Sequence, residues 1–243
     1  MAKLLRAYKY SGRLDEDDIF HAPILPGAYA PPRRIAPIYV ELPNGVKVPQ
    51  YAPTIEMTSV KYNPQEDCDG YFNAAKFQHH NNCYNYACDI ASNSFAQPGR
   101  MHCYQVGEPY HGQDVRKSAE LDGLIYIGDK SLSSHDLINL APKAMPGHFV
   151  ALLVSDSDGA NGWTGDYHWV RCDDQANCRS WSQKCGQDQV TNFDFSGAPI
   201  ADPRRANWTV NFGRLIEDSD DDVVCDYTFY AYMYVPHGRT KII

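Results

Sequence analysis

Cys83 stands in Asn81-Asn82-Cys83-Tyr84-Asn85-Tyr86-Ala87, and His168 follows far downstream in Gly165-Asp166-Tyr167-His168-Trp169-Val170-Arg171. Asparagine is a favoured N-cap, so Asn81 or Asn82 opens a helix over 82 to 94, with Pro98-Gly99 stopping the chain soon after. A cysteine in a first helical turn meets unpaired backbone N–H groups and the positive end of the helix dipole. That setting favours thiolate over thiol. An imidazole brought alongside would complete a nucleophile and its base. The same N–H groups, with an amide from Gln78, Asn81 or Asn82, could hold the oxyanion of a tetrahedral intermediate.

His168 is the first choice of base. Strand alternation groups it with Val170 and Cys172, while Tyr167, Trp169 and Arg171 face the other way. His148 is the second choice, and His79 and His80 are read as solvated loop residues. A third polar group would orient the base. Asn192 and Asp194 are preferred for it, with Ser182, Gln183 and Asp173 as further candidates. Against all of this stands the ordinary fate of a free cysteine, which is to be core, and Cys88 is read that way.

The elements that must position these groups are legible as patterns. Residues 113 to 121 and 134 to 140 read as short helices, the second capped by Ser133 or Ser134. Pro146-Gly147 turns the chain into the apolar run His148-Phe-Val-Ala-Leu-Leu-Val154, a fully buried strand. Residues 165 to 172 and 179 to 184 form a hairpin around a polar loop. Residues 226 to 235 alternate, placing Tyr227, Phe229, Ala231, Met233 and Val235 on one face and Thr228, Tyr230, Tyr232 and Tyr234 on the other. Prolines at 23, 26, 31, 32, 37, 43, 49 and 53 make residues 1–60 an extended arm, either packed on the main domain or on a partner or simply hugging the surface, with Asn44-Gly45 turning a hairpin within it. Residues 61–243 form the main domain, helix first and antiparallel strands after, an α+β layout.

Bulk composition sets limits. The chain has 243 residues, 43% hydrophobic and 21% charged, ordinary for a folded globular protein. Its net charge of −8, without a basic stripe, argues against nucleic acid. The N-terminus lacks the apolar core of a signal peptide, and no run is long enough to span a bilayer. The expected location is therefore cytoplasmic, or outside after lysis or specialised export. Reduced thiols are the default for the eight cysteines, although Cys172, Cys178 and Cys185 are close enough in sequence for disulfides. The acidic run 217 to 222 reads as a solvated loop.

A helix-start cysteine, a Pro-Gly turn into an apolar strand and a strand-borne histidine together resemble the papain-like cysteine hydrolases. The NlpC/P60 and CHAP branches are most similar, over roughly residues 75 to 195. The Asp-Cys-Ser-Gly of NlpC/P60 and the Cys-Trp of papain are both missing here. The resemblance implies a papain-like α+β fold, with the Cys83 helix packed on an antiparallel sheet carrying His168. It also implies a thiol peptidase or amidase, bacterial or phage, acting on a peptide or peptidoglycan-like substrate or a host protein. Cys83 would attack an amide carbonyl and His168 would protonate the leaving amine, with no metal or cofactor.

Three other readings remain open. His168, Cys172, Cys178 and Cys185 could close a structural zinc site, although their spacing lacks a short Cys-x2–4-Cys knuckle. The chain could be a non-enzymatic structural or virion-associated protein, with its arm and tyrosines packing against partners. Or the Cys-His pair could serve a deamidase, transglutaminase or acyltransferase.

Overall fold

The computed structural model describes residues 36–56, 60–63, 72–74, 77–104, 106–158, 160, 162–214 and 222–243. The first 35 residues of the expected arm, Cys68 and most of the acidic run lie outside them. Where the described chain begins, Asn44-Gly45 does turn a hairpin. β1 (Ile38–Glu41) pairs antiparallel with β2 (Lys47–Gln50), and Gly45 takes the left-handed φ of 83° that the turn requires. The arm is then stitched to the rest of the chain. β3 (Ile55–Glu56) pairs with β4 (Ile90–Ala91), just past the Cys83 helix.

The centre is a six-stranded antiparallel sheet in the order β5-β12-β6-β7-β8-β9. Its members are β5 (Ile125–Gly128), β6 (Gly147–Ser155), β7 (Asp166–Cys172), β8 (Trp181–Lys184), β9 (Val190–Thr191) and β12 (Thr228–Pro236). The apolar run after Pro146-Gly147 is buried on both faces, as a central strand must be. β10 (Thr209–Asn211) and β11 (Val224–Asp226) form a separate pair.

Besides two single-turn 3-10 helices, Gln78–His80 and Arg100–His102, three short α-helices complete the described elements. They are α1 (Cys83–Cys88), α2 (Gly112–Leu121) and α3 (Ser134–Leu140, capped by Ser133). Twelve strands against three short α-helices among the described residues overturn the expected papain-like α+β arrangement: the described chain is mostly β. One cause is the early end of α1. Asp89 turns left-handed at φ 57°, and its N–H caps the carbonyls of Asn85 and Tyr86. The expected helix over 82 to 94 is therefore less than two turns long.

Each sheet face buries its own core. On one side, α1 and α2 pack with Val150, Leu152, Val154, Tyr167, Trp169, Met233 and Val235. On the other, Phe149, Ala151, Leu153, Val170, Cys172, Tyr232 and Tyr234 pack with Leu137 of α3 and with Trp181, Ile200 and Trp208. Strand β12 departs from simple alternation. A bulge between Phe229 and Ala231 resets the pleat, so Phe229, Tyr232 and Tyr234 share the second core while Tyr230 joins Met233 and Val235 in the first. The expected grouping of Phe229 with Met233 is corrected accordingly.

Candidate functional site

Helix α1 is held by side-chain amides. The Asn82 Oδ1 accepts from the backbone N–H of Tyr84 and Asn85, at 3.0 and 3.1 Å. Asn85 answers as the other half of a capping box, accepting from Asn82 N–H at 3.1 Å. The Asn85 carboxamide also accepts from Ala96 N–H and donates to Ile90 O and Ser92 Oγ. Asn82 Nδ2 donates to Ala96 O at 2.7 Å, and Asn81 exchanges two hydrogen bonds with Asn93 while donating to Phe77 O. Gln78 Nε2 donates to Gln187 O. The three amides expected to hold an oxyanion are thus engaged in tying the loops around the helix together.

The carbonyls ahead of Cys83 are engaged as well. Lys184, fully buried at the end of β8, donates from Nζ to Asn81 O at 2.6 Å, Gln78 O at 2.8 Å and Gly186 O at 2.9 Å. Burial brings its pKa down to about 7, with the nearby Asp188 carboxyl pulling the other way. The residue clamps the approach to α1. Sequence reading missed it, and the available signal was parity: alternation from Trp181 puts Lys184 on the helix-covered face.

Cys83 does sit at the head of its helix, with the N–H groups of Trp169 and Tyr84 directed at its sulfur. The thiol is nevertheless pushed up to about 12, chiefly by loss of hydration and then by the Asp166 carboxyl. Those two effects outweigh the N–H groups and the Lys184 ammonium. The result is a neutral thiol among Tyr84, Ala87 and Trp169, which is core chemistry.

His168 lies on the other side of the sheet. Its neighbours in β7, Tyr167 and Trp169, face α1, so the pleat turns His168 away. Its ring is surrounded by Phe195, Trp208 and Tyr227 at centroid distances of 5.9, 6.0 and 6.1 Å, all members of the second core. Nε2 donates to Gln183 Oε1 at 2.6 Å, and Gln183 Nε2 donates in turn to Phe193 O. Burial brings its pKa down to about 4, the Gln183 bond opposing. The structure does not bring Cys83 and His168 together.

The remaining candidates are dispersed. His148 does reach the helix-covered face, but it meets the wrong end of α1: Nε2 donates to Ala87 O at 2.6 Å and Nδ1 accepts from His237 at 2.9 Å. Asp194 folds its own loop, accepting from the N–H groups of Ser196, Ala198 and Asn207 and from the Ser196 hydroxyl. Asn192 contributes its backbone carbonyl to Ile200 N–H. Asp173 and Ser182 belong to a polar ring under α1. There Arg171 Nη2 donates to the Tyr86 hydroxyl, which bonds Ser182 Oγ at 2.7 Å, and Ser182 donates to Asp173. Arg171 Nε closes the ring onto Asp173 at 3.2 Å. No cluster of three or more His, Cys, Asp or Glu suited to a metal ion occurs among the described residues, so the zinc alternative does not form there.

No family model matches the sequence, and no solved structure matches it. The chain is similar to insoluble matrix shell protein 1 of Ruditapes philippinarum. The two are 35% identical over 150 residues, which span 61% of this chain and 82% of the relative. A relative named for an insoluble shell matrix, and not for a hydrolase or peptidase, overturns the expected cysteine amide hydrolysis. On that identity and coverage, the chain belongs to the same family as insoluble matrix shell protein 1.

Proposed function

We propose that this chain is a non-enzymatic structural component of an insoluble matrix, of the kind its relative is named for. The observation that carries the reading is the 35% identity extending over 82% of insoluble matrix shell protein 1. The build of the α1 region agrees with it. Its amides, its buried lysine and its buried arginine are joined to one another and to the backbone, which suits a scaffold. On this reading the partners are other matrix components, not a peptide or peptidoglycan-like substrate.

The test is sequential extraction of the source organism's matrix with salt, detergent and strong denaturant, followed with an antibody to the chain. The expected result is retention in the fraction that resists salt and detergent. Recovery of the bulk of the protein in the first salt extract, with no matrix-bound pool, would overturn the proposal.

A further inference from the structure

Two cysteines that play no part in the α1 region face each other under the second core. Cys172 ends β7, and Cys178 lies in the loop leading to β8; both are 0% exposed and both are free thiols in the structure. One backbone oxygen locates them together. Asp174 O accepts from the Cys178 N–H at 2.7 Å and from the Cys172 thiol at 3.4 Å. The side chains meet thiol to thiol across this short loop.

The loop is held in this form by more than the cysteines. Asp174 Oδ1 accepts from Ala176 and Asn177 N–H at 3.2 Å each, an Asx turn that folds the chain back. Cys178 adopts a left-handed φ of 51°, a conformation uncommon for a non-glycine residue. Its carbonyl is fixed there by Trp181 Nε1 at 3.0 Å. Cys185 is not an equal claimant. The register pairs Cys172 with Trp181, and Cys185 follows the far end of β8, a strand's length away.

We propose that Cys172 and Cys178 are joined by a disulfide in the mature protein, closing the β7–β8 loop covalently. The oxidant is a small-molecule disulfide of the oxidised-glutathione class, acting before the loop seals or when it opens. Cys178 attacks as the thiolate, the nucleophilic form of a cysteine. Its sulfur bonds to one sulfur of the donor, the donor S–S bond breaks, and one donor thiolate leaves and takes up the proton Cys178 lost. Cys172, on losing its proton, then attacks the Cys178 sulfur of the mixed disulfide. The second donor thiolate leaves and takes that proton. Two protein thiols are oxidised, and one donor disulfide is reduced to two thiols.

The bond is independent of matrix incorporation, so each proposal can fail alone. The experiment uses the full chain, refolded in a buffer of oxidised and reduced glutathione. The protein is then unfolded without reductant, alkylated with iodoacetamide and digested with trypsin. Cleavage after Arg171 and Arg179 releases both cysteines in one peptide, residues 172–179. The expected peptide is unalkylated and lighter than the dithiol by two hydrogens. Reductant should also lower the melting temperature by roughly 5–10 °C, as closure of a short loop implies. A Cys172→Ala/Cys178→Ala variant should lose that response to reductant. Recovery of the peptide alkylated at both cysteines, or of either cysteine bridged to Cys185, would overturn the proposal, and neither outcome depends on the variant folding.

Discussion

Arg171 of β7 and Asp89 at the end of α1 form an ion pair of 3.2 Å, with each side chain only 1% exposed. The guanidinium also stacks on Tyr86, its carbon 4.0 Å from the ring centroid. Helix and sheet are therefore joined by a charge pair that lies out of reach of bulk water. Removing Arg171 takes the guanidinium away from two buried carboxylates, Asp89 and Asp173. Arg171→Met is expected to destabilise the protein by about 3–5 kcal/mol. Urea unfolding followed by tryptophan fluorescence measures this. A loss within about 0.5 kcal/mol, as for an ordinary surface substitution, would show that the pair does not anchor α1.

Asp122 predicts a pH dependence with a definite sign. Burial raises its carboxyl to about 7, against hydrogen bonds from the Tyr84 hydroxyl and the Gly99 N–H, both 2.8 Å. Its folded pKa lies above the unfolded value, so its contribution is full below about pH 4 and is lost as pH rises through about 7. Buried histidines act in the opposite sense. Burial brings His148 to about 3 and His168 to about 4, so their contribution is full above about pH 6.5 and is lost as pH falls. The difference between wild type and Asp122→Asn isolates the carboxyl. The variant should lose a downward slope in stability between about pH 4 and pH 7. Parallel curves for the two proteins across that range would contradict the assignment.

Thiol reactivity separates a buried Cys83 from an activated one. With its pKa pushed up to about 12, Cys83 is expected to be inert to iodoacetamide in the folded protein at about pH 8. Cys103 is exposed and should label first. Mass spectrometry of timed, quenched digests gives both rates. If Cys83 were modified as fast as Cys103, the account of its burial would have to be abandoned.

Local signals in the sequence carry furthest where the chemistry of one or two adjacent residues settles the matter. Ser133 caps the helix at Ser134–Leu140, and Asn44-Gly45 turns the hairpin. The run after Pro146-Gly147 is the central strand. The sequence narrows the cap to Asn81 or Asn82, and the motif reads as chemistry because nothing local shows where Asn85 places its four hydrogen bonds. Their partners include Ser92 and Ala96, brought back by the left-handed turn at Asp89.

The sequence by itself determined the strand runs, the two side-chain sets of β7 and the polar start of α1, because these rest on neighbours a few residues apart. Only the tertiary structure decided which of the two β7 sets lies under the helix. It chose Tyr167, Trp169 and Arg171, since α1 supplies Tyr84, Tyr86 and Asp89 to meet them. His168 went with the other set. A pleat has two faces and identical periodicity on both, so the pattern along one strand cannot say which face a distant helix will cover.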